Sequence, residues 1–185
     1  MRVLVPLANG FEETEFVTIV DILRRAEVKV VTASLTEEIV TGGHNIKIIA
    51  DTSLDRIEFE KFDAIVLPGG FPGFKNLGED ERILKILRDM NNADKYIAAI
   101  CGAPSVLAKA GIFEGRSSTV YPSGKEEIQA STHYVDKRVV VDGRLITSQA
   151  LGTATEFALK LVELFVGADE METVKDQVLA ICQPS

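Results

Sequence analysis

The stretch Tyr96-Ile97-Ala98-Ala99-Ile100-Cys101-Gly102-Ala103-Pro104 decides the reading of the chain. Its first five residues are a short unbroken apolar run, the pattern of a strand buried on both faces. Pro104 opens a short helical stretch that runs to Ala110 and is closed by Gly111; proline suits the first helical turn because its missing N–H would have no partner there. Ala99 and Ala103 flank the cysteine symmetrically, so small residues stand where strand and helix approach most closely. This is the pattern of a nucleophile elbow, with Cys101 at the sharp turn. The N–H groups and dipole of the following helix are expected to favour a thiolate at Cys101 and to hold a developing oxyanion. A free cysteine is also commonly just a small buried hydrophobe, and the local pattern does not separate the two.

Outward from this turn, further apolar runs read as strands over Arg2 to Ala8, Val28 to Ala33, Ala64 to Pro68, Thr119 to Tyr121, Arg138 to Val141 and Leu145 to Ser148. Asp142-Gly143 joins the last two as a hairpin turn. Residues around Ile39 to Val40 and Ile46 to Ala50, separated by Gly42-Gly43, predict a small inserted hairpin. Helical spacing runs through Glu13 to Ala26, Glu81 to Met90 and Thr153 to Phe165. Asp169 with Glu172 three residues later fits a capping box and predicts a last helix from about Glu170 to Ile181. Alternating strands and helices predict an α/β fold, a mostly parallel sheet covered by helices on both faces, with ligands at the carboxyl ends of the strands. No linker or repeat interrupts residues 1–185, so one domain is expected.

Two loops fall at that end of the sheet. Pro68-Gly69-Gly70-Phe71-Pro72-Gly73 would let backbone N–H groups approach a ligand, or be a plain tight turn. It is neither a dinucleotide fingerprint nor a phosphate-binding P-loop. Glu12, Glu13 and Glu15 crowd the first turn of the first helix, where acidic residues ordinarily complement the dipole. Thr14, Thr18, Asp21 and Arg25 mark the solvent face, which puts Glu12 opposite it and Glu15 on its flank. Periodicity therefore predicts a buried carboxylate without choosing between the two. Such a group has a raised pKa and can carry a proton near neutrality.

The remaining chemistry is sparse. The chain holds 2 cysteines and 2 histidines, without the spacing of a disulfide framework or a zinc site. Cys182, near the end of the last helix, reads as structural, and His44 and His133 as surface residues. The formal net charge of −8 and the lack of a Lys/Arg cluster argue against nucleic acid and anionic membranes as partners. The apolar start, Met1 to Ala8, is too short for a signal peptide or membrane span, so a cytoplasmic location is expected.

Five ordered motifs resemble the ThiJ/PfpI superfamily, and within it the clade of the Parkinsonism-associated DJ protein and bacterial YajL. They are Asn9-Gly10-Phe11-Glu12-Glu13-Thr14-Glu15, Val20 to Ala26, Val66-Leu67-Pro68-Gly69-Gly70, Ala98-Ala99-Ile100-Cys101, and Leu145 to Gln149 with Gly152-Thr153. The resemblance implies a flavodoxin-like three-layer α/β/α sandwich and a homodimer to which the first helix contributes. It also implies roles: Cys101 as nucleophile, Glu15 as the protonated carboxyl beside it, and the N–H groups of Gly70 and Gly102 as oxyanion donors, with Gly69, Tyr121 and His44 as accessory positions. Three departures matter. PfpI-type peptidases carry a histidine directly after the nucleophile, where this chain has Gly102, and clade members with a nearby histidine have it where this chain has Tyr121. An arginine that some relatives place near the site is replaced around His44.

The expected function is that of a cofactor-independent and metal-independent cysteine enzyme acting on reactive carbonyls. Such an enzyme converts methylglyoxal or glyoxal to a hydroxy acid, or reverses their glycated adducts. Oxidation of Cys101 in a redox-sensing or chaperone-like stress protein is the alternative. A cysteine hydrolase or peptidase is weaker, since the region Gln149 to Glu156 offers no imidazole.

Overall fold

Each long apolar run forms a strand, and most of them line up in parallel. The computed structural model describes residues 1–181 of the 185-residue chain. In chain order the elements begin β1 (Arg2–Leu7), α1 (Glu13–Arg25), β2 (Lys29–Ser34), β3 (Ile39–Thr41), β4 (Lys47–Ile49), β5 (Thr52–Ser53) and β6 (Ala64–Leu67). They continue with α2 (Gly73–Glu79), α3 (Glu81–Asn92), β7 (Tyr96–Ile100), α4 (Pro104–Lys109), β8 (Ser117–Ser118), α5 (Lys125–Ile128) and β9 (His133–Tyr134). The last are β10 (Val139–Asp142), β11 (Leu145–Ser148), α6 (Ala154–Phe165) and α7 (Ala168–Gln177).

The main sheet has seven strands in the order β10-β11-β7-β6-β1-β2-β5. Only the edge strand β10 runs antiparallel to its neighbour. Because side chains alternate across a strand, β1 sends Val3, Val5 and Leu7 to a core formed with α1, α6 and α7. Leu4 goes to the opposite core, and Ile65, Leu67, Ile97 and Ala99 of the neighbouring strands pack there against α2, α3 and α4. The result is the α/β sandwich expected from the alternating pattern, with the flavodoxin-like layering that the resemblance implied. No helix among the described residues is long and apolar enough to cross a membrane.

Three local expectations are corrected. Thr119 to Tyr121 is not a strand: the Thr119 N–H donates to Thr147 Oγ1 at 2.9 Å and the Tyr121 N–H to the Cys101 carbonyl at 2.9 Å. These scattered bonds replace a ladder, and the nearby pairing is instead between β8 and β9. The last helix starts at Ala168 behind Gly167, whose φ is +132°, so Asp169 lies inside its first turn rather than capping it. That helix also ends at Gln177, before Ile181. Cys182 lies outside the described residues. Helix α2 was hidden by its glycines, although Gly73 is required by contact: a Cβ there would lie 2.5 Å from the Phe11 nitrogen.

Candidate functional site

Strands β6 and β7 are adjacent and parallel, with Leu67 level with Ala99, so the turns that leave them emerge side by side. One turn carries Gly69 and Gly70, and the other Cys101 and Gly102. Cys101 has φ of +62°, in the left-handed region that a residue with a side chain rarely adopts. Its neighbours impose it: the Cys101 N–H donates to the Ser148 carbonyl at 3.0 Å, and its own carbonyl accepts from the Tyr121 N–H. Strain of this kind persists only where the surroundings over-determine it.

The first turn of α1 brings Glu15 to the same point, 1% exposed. Gly69 lies between the two side chains. A Cβ on it would fall 2.5 Å from Cys101 Cβ and 2.7 Å from Glu15 Oε2, so a glycine is what allows thiol and carboxyl to meet. The Gly69 N–H donates to Glu15 Oε2 at 3.0 Å, whereas Oε1 is buried without a well-formed hydrogen bond. A buried ionised carboxylate with an unsatisfied oxygen is costly, and protonation turns that oxygen's group into a donor.

The electrostatics agree. Burial above all pushes the Glu15 carboxyl up to about 7, against the opposing pull of its hydrogen bonds with the Cys101 thiol and the Gly69 N–H. Burial, followed by the charge of Glu15, pushes the Cys101 thiol up to about 12, while the N–H groups of Gly70 and Gly102 pull it down. The thiol thus lies above its ordinary value, not below it as the sequence suggested. Helix α4 is only six residues long, and desolvation with a neighbouring carboxylate outweighs it. Thiol and carboxyl form one coupled pair: thiol with carboxylate, and thiolate with carboxylic acid, carry the same charge and differ in the position of one proton.

Both glycines beyond the pair are forced. Gly70 has φ of +94°, and a Cβ on it would lie 2.1 Å from the Glu12 nitrogen. A Cβ on Gly102 would lie 2.6 Å from the Phe74 ring, so no imidazole fits at 102 unless Phe74 moves. Cys101 lines a cavity of about 370 Å³ whose walls include Gly70, Phe71, Phe74, Gly102 and Tyr121, with Glu12 and Glu127 also on its lining.

The other sequence candidates separate. Tyr121 stands in the cavity wall, and His133, on β9, does not line it. His44 lies outside the cavity lining, with Nδ1 at 3.1 Å from Glu13 Oε2 and 3.8 Å from Glu12 Oε2. The hydrogen bond that His44 makes to the Glu13 carboxylate, with the charge of Glu12, raises the His44 pKa. Glu13 was not foreseen as buried. It is 4% exposed, and its Oε1 accepts from the N–H groups of His44 at 2.6 Å and Ile46 at 3.3 Å. Burial acts to raise its pKa, but its own N–H and those donors together hold it below the usual carboxylate value. The ligand atoms of Glu12, Glu13 and His44 fall within 4.8 Å of one another, near enough to approach a cation. The bonds to Glu13 make the cluster an anchor for the β3–β4 hairpin. The signal for it was present in Gly42: a Cβ there would sit 2.3 Å from the Glu13 carboxyl.

Comparison with known proteins places this geometry in context. The model of the DJ-1/PfpI family matches residues 1–164. Protein dj-1beta of Drosophila melanogaster is 46% identical over 178 residues, covering 95% of this chain and 95% of that protein. A Pyrococcus horikoshii protein named a deglycase is 36% identical over 150 residues, covering 80% of this chain and 90% of its own. The crystal structure of Drosophila melanogaster DJ-1beta superposes with a TM-score of 0.95 at 44% identity, over 98% of both chains. A structure titled as oxidized Toxoplasma gondii DJ-1 gives 0.94 at 34% identity, over 98% of this chain and 99% of that one.

Proposed function

Since the chain belongs to the DJ-1/PfpI family, we propose that it is a cofactor-independent enzyme in which Cys101 attacks reactive carbonyls and Glu15 moves the protons. The observation that carries this reading is the buried Glu15 carboxyl, held against the thiol of Cys101 beside Gly69, with Cys101 itself lining the cavity. The deglycase name of the Pyrococcus horikoshii relative supports the same class of chemistry.

In this scheme the thiol proton passes to Glu15, leaving a thiolate beside a neutral carboxylic acid and the N–H groups of Gly70 and Gly102. Sγ bonds to the aldehyde carbon of methylglyoxal, and the carbonyl π pair becomes an oxyanion that those N–H groups stabilise. Glu15 returns its proton to that oxyanion, giving a neutral hemithioacetal, and as the carboxylate it then carries the carbon-bound proton to the adjacent ketone carbon while the hydroxyl proton passes to the ketone oxygen. The aldehyde carbon is thereby oxidised to a thioester while its neighbour is reduced to a carbinol. Water cleaves the thioester, releasing lactic acid and restoring the thiol, so methylglyoxal plus water gives lactic acid with no external oxidant or reductant. Addition to a hemithioacetal or aminocarbinol would reverse a glycated adduct on the same groups. We further propose that the protein acts as a homodimer built on α1 and the β3–β4 hairpin.

Purified, metal-free protein should consume methylglyoxal, and Cys101→Ala and Glu15→Gln should each abolish the loss. Full activity in either variant rejects the scheme.

A second reading is favoured by the oxidized state named for the Toxoplasma gondii structure. In it, one peroxide oxidises the thiolate to a sulfenate and a second to a sulfinate, each step releasing water or hydroxide. Intact mass after mild peroxide should then rise by two oxygens, and should not in Cys101→Ser.

A further inference from the structure

The stretch from Ser148 to Thr153 takes no part in the proposed chemistry, yet it touches both reacting groups. The Ser148 carbonyl accepts the Cys101 N–H at 3.0 Å. Further along the same turn the Leu151 N–H reaches Glu15, where, with the thiol and the Gly69 N–H, it opposes the larger effect of burial on the carboxyl. That approach stops short of a full hydrogen bond, since the Gly69 N–H goes to Oε2 and Oε1 stays unpartnered. Its strength therefore depends on how firmly the turn is held.

What holds the turn is a buried pair of hydroxyls. Ser148 is 0% exposed and Thr153 4%, and their oxygens lie 2.6 Å apart. Thr153 stands at the N-cap of α6, where a threonine ordinarily accepts from the N–H groups of the first turn, but its side chain makes no capping bond there. The hydroxyl is turned back instead, and Thr153 Oγ1 accepts from the Ala150 N–H at 3.1 Å. The Ser148 hydroxyl donates to the Arg138 carbonyl at 2.7 Å. Each hydroxyl has a single proton, so Thr153 donates to Ser148, and one chain runs from the Ala150 N–H through both hydroxyls to Arg138. The Ala150 carbonyl is served by the Thr153 N–H at 2.8 Å. From outside, the Arg138 guanidinium donates to the Gly152 carbonyl at 2.7 Å. Thr153 thus gives up a helix cap to brace a turn that lies against Glu15.

We propose that Thr153, acting with Ser148, is a positioning residue for the reacting pair: the hydroxyl chain fixes the turn so that the Leu151 N–H is held at the Glu15 carboxylate while the Ser148 carbonyl holds Cys101. The proposal deepens the reading of Glu15 and Cys101 as the reacting pair and rests on it. A hydrogen bond to a carboxylate favours its charged form, so a loosened turn makes Glu15 keep its proton to higher pH.

The test reads Glu15 directly. Whole protein is isotope-labelled at the glutamate side-chain carboxyls for NMR, the Glu15 resonance is the one lost in Glu15→Gln, and its shift is followed from about pH 5 to 9. Thr153→Val, which keeps the shape and removes the hydroxyl, should raise the midpoint by about half a pH unit, roughly threefold in proton affinity, and Thr153→Ser should restore it. Ser148→Ala should raise it by less, because Thr153 Oγ1 can still donate to the Ala150 carbonyl 2.7 Å away. Leu87→Ala, a core truncation on α3, should lower the melting temperature without moving the midpoint. An unmoved midpoint in Thr153→Val, a rise that Thr153→Ser shares, or an equal rise in Leu87→Ala overturns the proposal. If Thr153→Val fails to fold, an unmoved midpoint in Ser148→Ala overturns it. Alkylation of Cys101 by iodoacetamide, in which the thiolate displaces iodide, is followed by intact mass with a Cys101→Ser control for Cys182. Its pH profile should track the carboxyl midpoint in every variant. A wild-type profile that does not track it overturns the reading of the pair and the proposal with it, whereas an unmoved carboxyl in Thr153→Val overturns the proposal alone.

Discussion

At the scale of single residues, the site depends on one proton shared by two buried groups. Glu15 has its pKa raised by burial to about 7 from an ordinary value of 4.5, so the folded chain holds that proton more tightly than the unfolded chain does. Stability from this group is complete below pH 4.5 and declines as pH rises through 7, because the unfolded state then binds fewer protons. Glu15→Gln removes the titration while keeping the shape. Denaturant titrations from pH 4.5 to 8 should therefore show wild type losing about 3 kcal/mol relative to Glu15→Gln. A difference independent of pH would mean that Glu15 is ionised throughout. Cys101 itself was legible in the sequence, since small flanking residues and Pro104 mark a turn that only a strand-to-helix junction needs. Its raised pKa was not legible: the burial of the thiol and the position of Gly69 against Glu15 are three-dimensional facts.

At the scale of elements, the first turn of α1 does two jobs with alternate carboxylates. Glu15 faces the cysteine turn, and Glu13 holds the β3–β4 hairpin through the N–H groups of His44 and Ile46. Glu13→Ala leaves those donors without their partner and should cost about 2 kcal/mol. Faster hydrogen exchange at residues 44–46 would locate the loss. The Glu13 pKa is lowered, so the stability it contributes is present above the ordinary carboxylate value and is lost as pH falls through the folded one. This division was only half visible beforehand. A helical wheel places residues relative to solvent, but a hairpin folded over the helix end buries Glu13 from a direction that the wheel does not contain. The same limit explains α2, whose first residue Gly73 read as part of a loop although it fits against Phe11. Thr119 to Tyr121 has strand composition, yet its N–H groups go to Thr147 and Cys101. The sheet was easier to read, because parallel strands buried on both faces leave long apolar runs.

At the scale of the whole molecule, the exposed apolar residues Val17 on α1, Ile46 and Ile49 lie on the two elements that Glu13 ties together. A second copy covering them would bury surface that now faces water. Light scattering should give twice the chain mass for wild type, and Val17→Glu with Ile49→Glu should shift it toward one; a monomeric wild type would refute the dimer. A further consequence follows from the left-handed backbone at Cys101, held between the Ser148 carbonyl and the Tyr121 N–H. The energy that keeps this residue out of its preferred conformation, about 1–2 kcal/mol, comes from the packing of the entire sheet. Glycine adopts such a φ freely, so Cys101→Gly should melt above Cys101→Ala. On warming wild type, the segment 119–121 has no strand ladder to hold it and should loosen first, letting the cysteine relax while the core remains folded. Chemical competence should therefore disappear at a lower temperature than circular dichroism does. The protein's working lifetime is then set by one turn rather than by its melting point.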